Sequence, residues 1–269
     1  NQKEIKLTSE QGSYGLLSQG ISLKHSTDKL AFNLSLTSLA DDNTFEYINT
    51  TQMGHPTVVN NYGKIESKSG KVNLAYKYDS TTKFAVAYWS SANDREVPQN
   101  MTTPFSDAKQ YDKTNNLLLS ATHFFTDGVI TLKRAFLEED FRYTEHLKNI
   151  DSQYLTNSKI TDVDVKINKG GFLYNLGGNF TKQSVINNNY MGTRQLEKQG
   201  ALFSSVQYNY DFLSMNTVLR KQWQTTFEVP LIPSLAFSTD ITKQLSIRFK
   251  YNRNFRSPTF NDRFWAGSG

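Results

Sequence analysis

The chain has 269 residues, with 30 Lys and Arg against 25 Asp and Glu for a formal net charge of +5, and no cysteine. Zero cysteines exclude a disulfide framework, thiolate zinc sites and cysteine catalysis. No apolar run approaches the ~20 residues of a membrane-spanning helix, and no dense Lys/Arg tract reads as a nucleic-acid footprint, so neither a helical membrane protein nor a nucleic-acid partner is expected.

Aromatic residues make up 13% of the chain although its mean hydropathy is −0.56, a combination that fits strands with one wet and one greasy face. Period-two alternation predicts thirteen strands, over residues 3–9, 14–25, 29–39, 64–78, 83–91, 114–124, 128–141, 158–168, 171–184, 199–210, 213–224, 231–239 and 244–254. In the clearest, Leu30, Phe32, Leu34 and Leu36 oppose Ala31, Asn33, Ser35 and Thr37. Val163, Val165 and Ile167 likewise oppose Asp162, Asp164 and Lys166. The fold class expected is all-β, an antiparallel up-and-down meander.

After the first hairpin the connections alternate, short at 26–28, 79–82, 125–127, 169–170 and 211–212, long at 40–63, 92–113, 144–157 and 187–198. Such alternation sends tight turns to one end and long loops to the other, the polarity of a membrane barrel, and many strands reach the ~10 residues that a tilted membrane strand needs. Asp127-Gly128 and Lys169-Gly170-Gly171 supply residues that tolerate positive φ at the tight turns. Tyr76, Tyr78, Phe84, Phe124, Phe125, Tyr208, Tyr210 and Phe212 cluster beside those turns as an interfacial girdle would.

No catalytic constellation stands out. His25, His55, His123 and His146 lack metal-ligand spacing, and there is no phosphate loop or nucleophile elbow. Glu138, Glu139 and Asp140 are successive strand residues pointing to opposite faces, which makes no glycosidase pair. Asp41, Asp42 and Glu46 read as a solvated acidic turn. No enzymatic activity, cofactor or metal is therefore expected. Ligand binding by the long loops is the better reading. Tyr62, Arg95, Tyr111, Tyr190 and Arg194 lie in them, Trp89 sits where a strand enters one, and Arg256 stands where the last strand meets its loop. Rigid aromatics give contact area at low entropic cost and arginines orient polar ligands. The competing role for Arg256 is a salt bridge in a barrel lumen.

At the C-terminal end, Pro258 stops the ladder, and the segment after it mixes Phe260, Phe264 and Trp265 with Asn261, Asp262 and Arg263, which suits binding. The run NFRSPTFNDRFW, residues 254–265, resembles a barrel segment of TonB-dependent outer-membrane receptors, notably the cobalamin-receptor-like branch of Bacteroides-type bacteria. Gly12-Ser13-Tyr14-Gly15 and the two amphipathic runs after it resemble the first hairpins of the same barrel. The resemblance implies that residues 1–269 are a barrel segment of a plugged transporter, without the plug domain and the C-terminal strands. It further implies an outer-membrane location with the long loops outside, and uptake of a scarce bulky nutrient, foremost a cobalamin or related corrinoid. A haem or ferric-siderophore receptor is the alternative within the family, and a passive porin or adhesin the alternative outside it. The implied partners are that nutrient, outer-membrane lipid, and TonB only through the N-terminal plug.

Overall fold

A computed structural model describes residues 2–98, 100–102, 106–192, 194–210, 212–242 and 244–266, leaving aside the side chains of Gln2 and Tyr210. Asp211 and the Tyr210 side chain, expected in a tight turn and in the girdle, lie outside the described residues. In chain order the elements are β1 (Gln2–Gln11), β2 (Leu17–Ser26), β3 (Leu30–Asp41), β4 (Glu46–Ile48), β5 (Thr57–Val59), β6 (Ile65–Lys77), β7 (Thr82–Glu96) and β8 (Lys109–Phe125). They continue with β9 (Gly128–Glu145), β10 (Ile150–Lys169), β11 (Phe172–Asn187), β12 (Arg194–Tyr210), β13 (Leu213–Gln224), β14 (Ile232–Asp240), β15 (Ser246–Asn252) and a short helix, α1 (Phe260–Phe264). Thirteen strands form one antiparallel sheet in sequence order, while β4 and β5 make a separate hairpin inside the connection from β3 to β6.

All thirteen expected strands are present, but several run further than their apolar alternation indicated. The β7–β8 ladder extends from Thr82↔His123 to Glu96↔Lys109, and β9–β10 from Gly128↔Ile167 to Glu145↔Ile150. Part of 92–113 and most of 144–157, expected as long loops, is therefore strand. The connection after β9 is a 3-10 turn, His146–Lys148, closed by Asn149 in the left-handed region. Backbone pairing satisfies N–H and C=O groups whatever the side chain, so the ladder continues where the apolar pattern stops. Gly12–Gly15, read partly as strand, instead forms a tight 3-10 turn over Ser13–Gly15 with Tyr14 at φ 63°.

The register aligns one apolar face across the whole sheet. It carries Ile5 and Leu7, Leu23, Phe32 and Leu34, Val72 and Leu74, Val86 and Tyr88, Leu117 and Leu119, and Ile130 and Leu132. Val163 and Val165, Leu176, Leu202, Met215, Phe237 and Phe249 complete it. Much of this face is exposed, Leu202 to 61% and Phe249 to 55%, while Phe32, Leu34, Val72 and Met215 are half-buried. The opposite face carries Asn73, Lys133, Asp162, Asp164, Asn175, Asn179, Asn216 and Lys250 at the same heights. A contiguous exposed apolar sheet face of this size calls for lipid or another apolar surface, and we call it the outward face. Among the described residues, no helix is long and apolar enough to cross a membrane.

At the tight-turn end Tyr76, Phe84, Phe125 and Tyr208 lie on the outward face, with Phe172 stacked on Tyr208 at 4.4 Å between ring centroids. Phe124 does not belong to this girdle. It pairs with Val129 on the inward face, where Lys83 sits over its ring at 5.2 Å; neighbouring strand residues point opposite ways. Gly170 and Gly171 adopt positive φ in their turn as expected. Gly128 does not; it is needed for close approach, since a Cβ there would lie 2.1 Å from the Lys166 carbonyl oxygen.

Candidate ligand-binding region at the loop end

The end of the sheet opposite the tight turns gathers the connections after β3, β7, β11 and β13 and the segment after β15. Two corners are structured by polar contacts. In the first, the β4–β5 hairpin is tied to the β7–β8 connection: the Asn49 side-chain amide and the Thr51 hydroxyl both donate to the Met101 carbonyl, at 3.1 and 2.9 Å. Tyr62 lies beside it. Its buried hydroxyl has no hydrogen-bond partner among the described residues. Burial, reinforced by the carboxylates of Glu96 and Asp107, pushes its phenol up to about 12.

Arg95 and Tyr111 belong to the same corner but stand on strands, not in a loop. Arg95 pairs with Gln110 and Tyr111 with Asp94, so the two side chains leave opposite faces of the ladder. Arg95 lies 3.8 Å from Asp112 on the inward face, an exposed and weak pair. Trp89 is deeper in β7, because that strand continues seven residues past it to Glu96. Its ring faces inward, and its indole N–H is 3.0 Å from the Asn116 side-chain oxygen in the amide orientation that satisfies both groups. Trp89 is thus part of the inner wall, below the loops.

The second corner is built by the C-terminal segment. Thr259 and Asp262 form a capping box, the Asp262 N–H donating to the Thr259 hydroxyl at 3.2 Å and the Thr259 N–H to the Asp262 carboxylate at 2.8 Å. The Thr259 backbone N–H first, and the Thr259 side chain after it, hold the Asp262 carboxyl below the usual range. The cap aims α1 across the ends of β11 to β13. There the Met191 N–H donates to the Phe264 carbonyl and the Ala266 N–H to the Asn189 carbonyl, each at 3.0 Å. The Tyr190 hydroxyl donates to Asn261, and its ring meets Tyr154 edge-on at 6.1 Å. Burial raises the Tyr190 phenol above its ordinary value.

Arg263 is the hinge of this corner. Its guanidinium pairs with Glu197 and donates to the Thr226 hydroxyl at 2.7 Å and the Thr259 carbonyl at 3.3 Å. The rings of Phe227, Phe260 and Phe264 lie 5.7, 5.0 and 5.0 Å from it. Between this knot and the inward face of β11–β13 lies a cleft of about 280 Å³, lined by Gln183, Gln199, Gln224 and Ser257 among others. The Gln224 amide donates to Ser257 and Gln199, at 3.1 and 2.9 Å, while its oxygen is buried without a partner among the described residues. The cleft thus offers an unused acceptor toward the inner face.

Of the residues singled out from sequence, Tyr190 and Arg256 share this corner. Arg256 is largely exposed and lies 3.8 Å from Asp262, an ion pair within its own segment rather than one in a lumen. Arg194 opens β12, pairs with Ile186 and leaves the outward face, away from Tyr190. Tyr154, also assigned to a loop, is a β10 residue packed on Phe141. Sequence reasoning marked the 260–265 run but missed Glu197, which lies 66 positions from Arg263. It lay within 187–198, expected as a long loop, where a lone carboxylate carries no signal of its partner.

No protein-family model and no curated protein matches the sequence. Solved structures do match its fold. The FrpB iron transporter from Neisseria meningitidis (F5-1 variant, apoprotein form) aligns with TM-score 0.74 at 11% identity, over 96% of this chain and 46% of that one. The siderophore receptor PirA from Pseudomonas aeruginosa aligns with TM-score 0.65 at 10% identity, over 95% and 43%. The outer membrane transporter YddB from Escherichia coli aligns with TM-score 0.61 at 10% identity, over 84% and 36%. The chain spans less than half the length of each. Its thirteen-stranded meander, greasy outside and polar inside, has the fold of the wall of an outer-membrane transporter barrel.

Proposed function

We propose that the chain is the barrel-wall portion of a TonB-dependent outer-membrane receptor that takes up a scarce, bulky nutrient, with the loop end facing the outside. The observation that carries this is the register: one apolar face maintained over thirteen consecutive antiparallel strands and a polar face opposite it. The role is binding and passage, without covalent chemistry. Energy coupling would come from TonB acting on a plug that precedes this segment in the whole protein, and the remaining strands would close the barrel.

We assign the substrate to the iron–siderophore class. Two structures of similar fold carry iron and siderophore in their names, and the loop end supplies aromatic, amide and arginine groups from Tyr62, Tyr190, Asn261 and Arg256. A corrinoid is the second reading, favoured by the resemblance of residues 254–265 to cobalamin receptors. Binding of a ferric siderophore, cyanocobalamin and haem to the full-length receptor in detergent decides between them, with the siderophore expected to bind most tightly. Preference for cyanocobalamin would transfer the assignment to the corrinoid. Uptake that persists without the proton gradient would replace the receptor by a passive pore.

A further inference from the structure

Three lysines stand in a direct cross-strand row on the outward face. Lys159 of β10 pairs with Lys182 of β11, and Lys182 pairs with Lys198 of β12. Like charges directly opposite one another destabilise a sheet, and here they recur twice in succession. All three are exposed, and among the described residues their side chains have neither an ion pair nor a hydrogen bond. The nearest carboxylates on that face are Glu138, one row toward the loop end and paired with Asn157, and Glu228, bridged to Trp223. Neither closes an ion pair on the row.

The position of the row gives it a chemistry. The next row toward the tight turns is Thr161, Phe180, Gly200 and Trp223, and the one below is Val163, Gly178, Leu202 and Lys221. At Gly178 opens a groove of about 740 Å³, lined also by Leu176, Phe180, Leu202 and Trp223. Lys221, at the edge of the groove, donates to the Val229 carbonyl at 2.8 Å. The charged row therefore lies two residues, ~7 Å, above an open apolar groove, at the upper edge of the lipid-facing belt. An isolated anion would meet the lysines but not the groove, and an apolar protein surface would meet the groove but not the charge.

We propose that Lys159, Lys182 and Lys198 with the groove beneath them bind one phosphorylated, multi-acyl glycolipid of the outer leaflet. Its phosphate lies across the lysine row and an acyl chain in the groove. The ligand relieves the cross-strand repulsion and anchors the barrel wall at a fixed depth. This rests on the outer-membrane reading with the loop end outward.

The test uses the full-length receptor purified from outer membranes in mild detergent and titrated with lipid A carrying both phosphates, read by native mass spectrometry. Wild type is expected to bind one lipid A tightly. The variant K159Q/K182Q/K198Q is expected to bind it roughly 100-fold more weakly, at about fivefold per lysine near a membrane surface. Lipid A stripped of phosphate should bind wild type as weakly as the variant does. The inward-face variant K71Q/K133Q/K166Q, with the same charge change, should bind like wild type. Should the triple variant fail to fold, K182Q alone, at the centre of the row, is read in its place with about fivefold expected. Equal binding of lipid A to wild type and the outward variant, or of phosphorylated and stripped lipid to wild type, overturns the inference. A receptor that fractionates away from outer membranes overturns the outer-membrane reading itself and the inference with it.

Discussion

Replacing Arg263 by Met keeps most of the side-chain volume and removes the charge. The structure sets the size of the effect. Arg263 and Glu197 are only 14% and 9% exposed, so deleting one leaves a carboxylate facing protein, which costs roughly 3–5 kcal/mol. The residual solvent contact argues for the lower end. What is lost is the docking of α1 on the β11–β12 connection, not the sheet. The measurement is therefore amide hydrogen exchange at Met191 and Ala266, whose N–H groups donate across that junction. About 3 kcal/mol corresponds to roughly 100-fold faster exchange at both, with the β8–β9 ladder unchanged. The double variant E197Q/R263M has no buried charge and should recover much of the protection, the signature of direct coupling. Exchange within about threefold of wild type in R263M would refute the account and leave the aromatic rings as the source of docking.

Gly177→Ala places a Cβ 2.2 Å from the Phe203 ring that covers the glycine on the inward face; urea unfolding in detergent should show a loss of roughly 1–3 kcal/mol, smaller when Phe203 is also Ala. Tyr62 is the source of a pH effect: its phenol stands at about 12 in the fold against about 10 unfolded. Its contribution to loop-end stability is then fully present below pH ~10 and lost as pH rises toward ~12. Tyr62→Phe should abolish that dependence when exchange of the β7–β8 connection is followed over this range, and an unchanged profile would remove Tyr62 as its cause.

Sequence by itself determined the order of the thirteen sheet strands, the end that carries the tight turns and the membership of the apolar face. Each follows from local facts, since residues such as Leu30, Phe32, Leu34 and Leu36 must share one face at period two, and Pro258 must end its ladder. Even the capping box that starts α1 is local, Thr259 and Asp262 being three positions apart. Tertiary structure alone decided what the ends of the strands do. Above the apolar belt the alternation disappears while backbone pairing continues, so Arg95, Tyr111 and Tyr154 turned from loop residues into strand residues with fixed and opposed faces. Register decided the rest. That Glu197 meets Arg263, that Lys182 stands between Lys159 and Lys198, and that Trp89 faces inward beside Asn116 depend on which residue of one strand lies opposite which of the next. A slip of one residue would reverse every face, and no pattern within a single strand records the alignment with its neighbour.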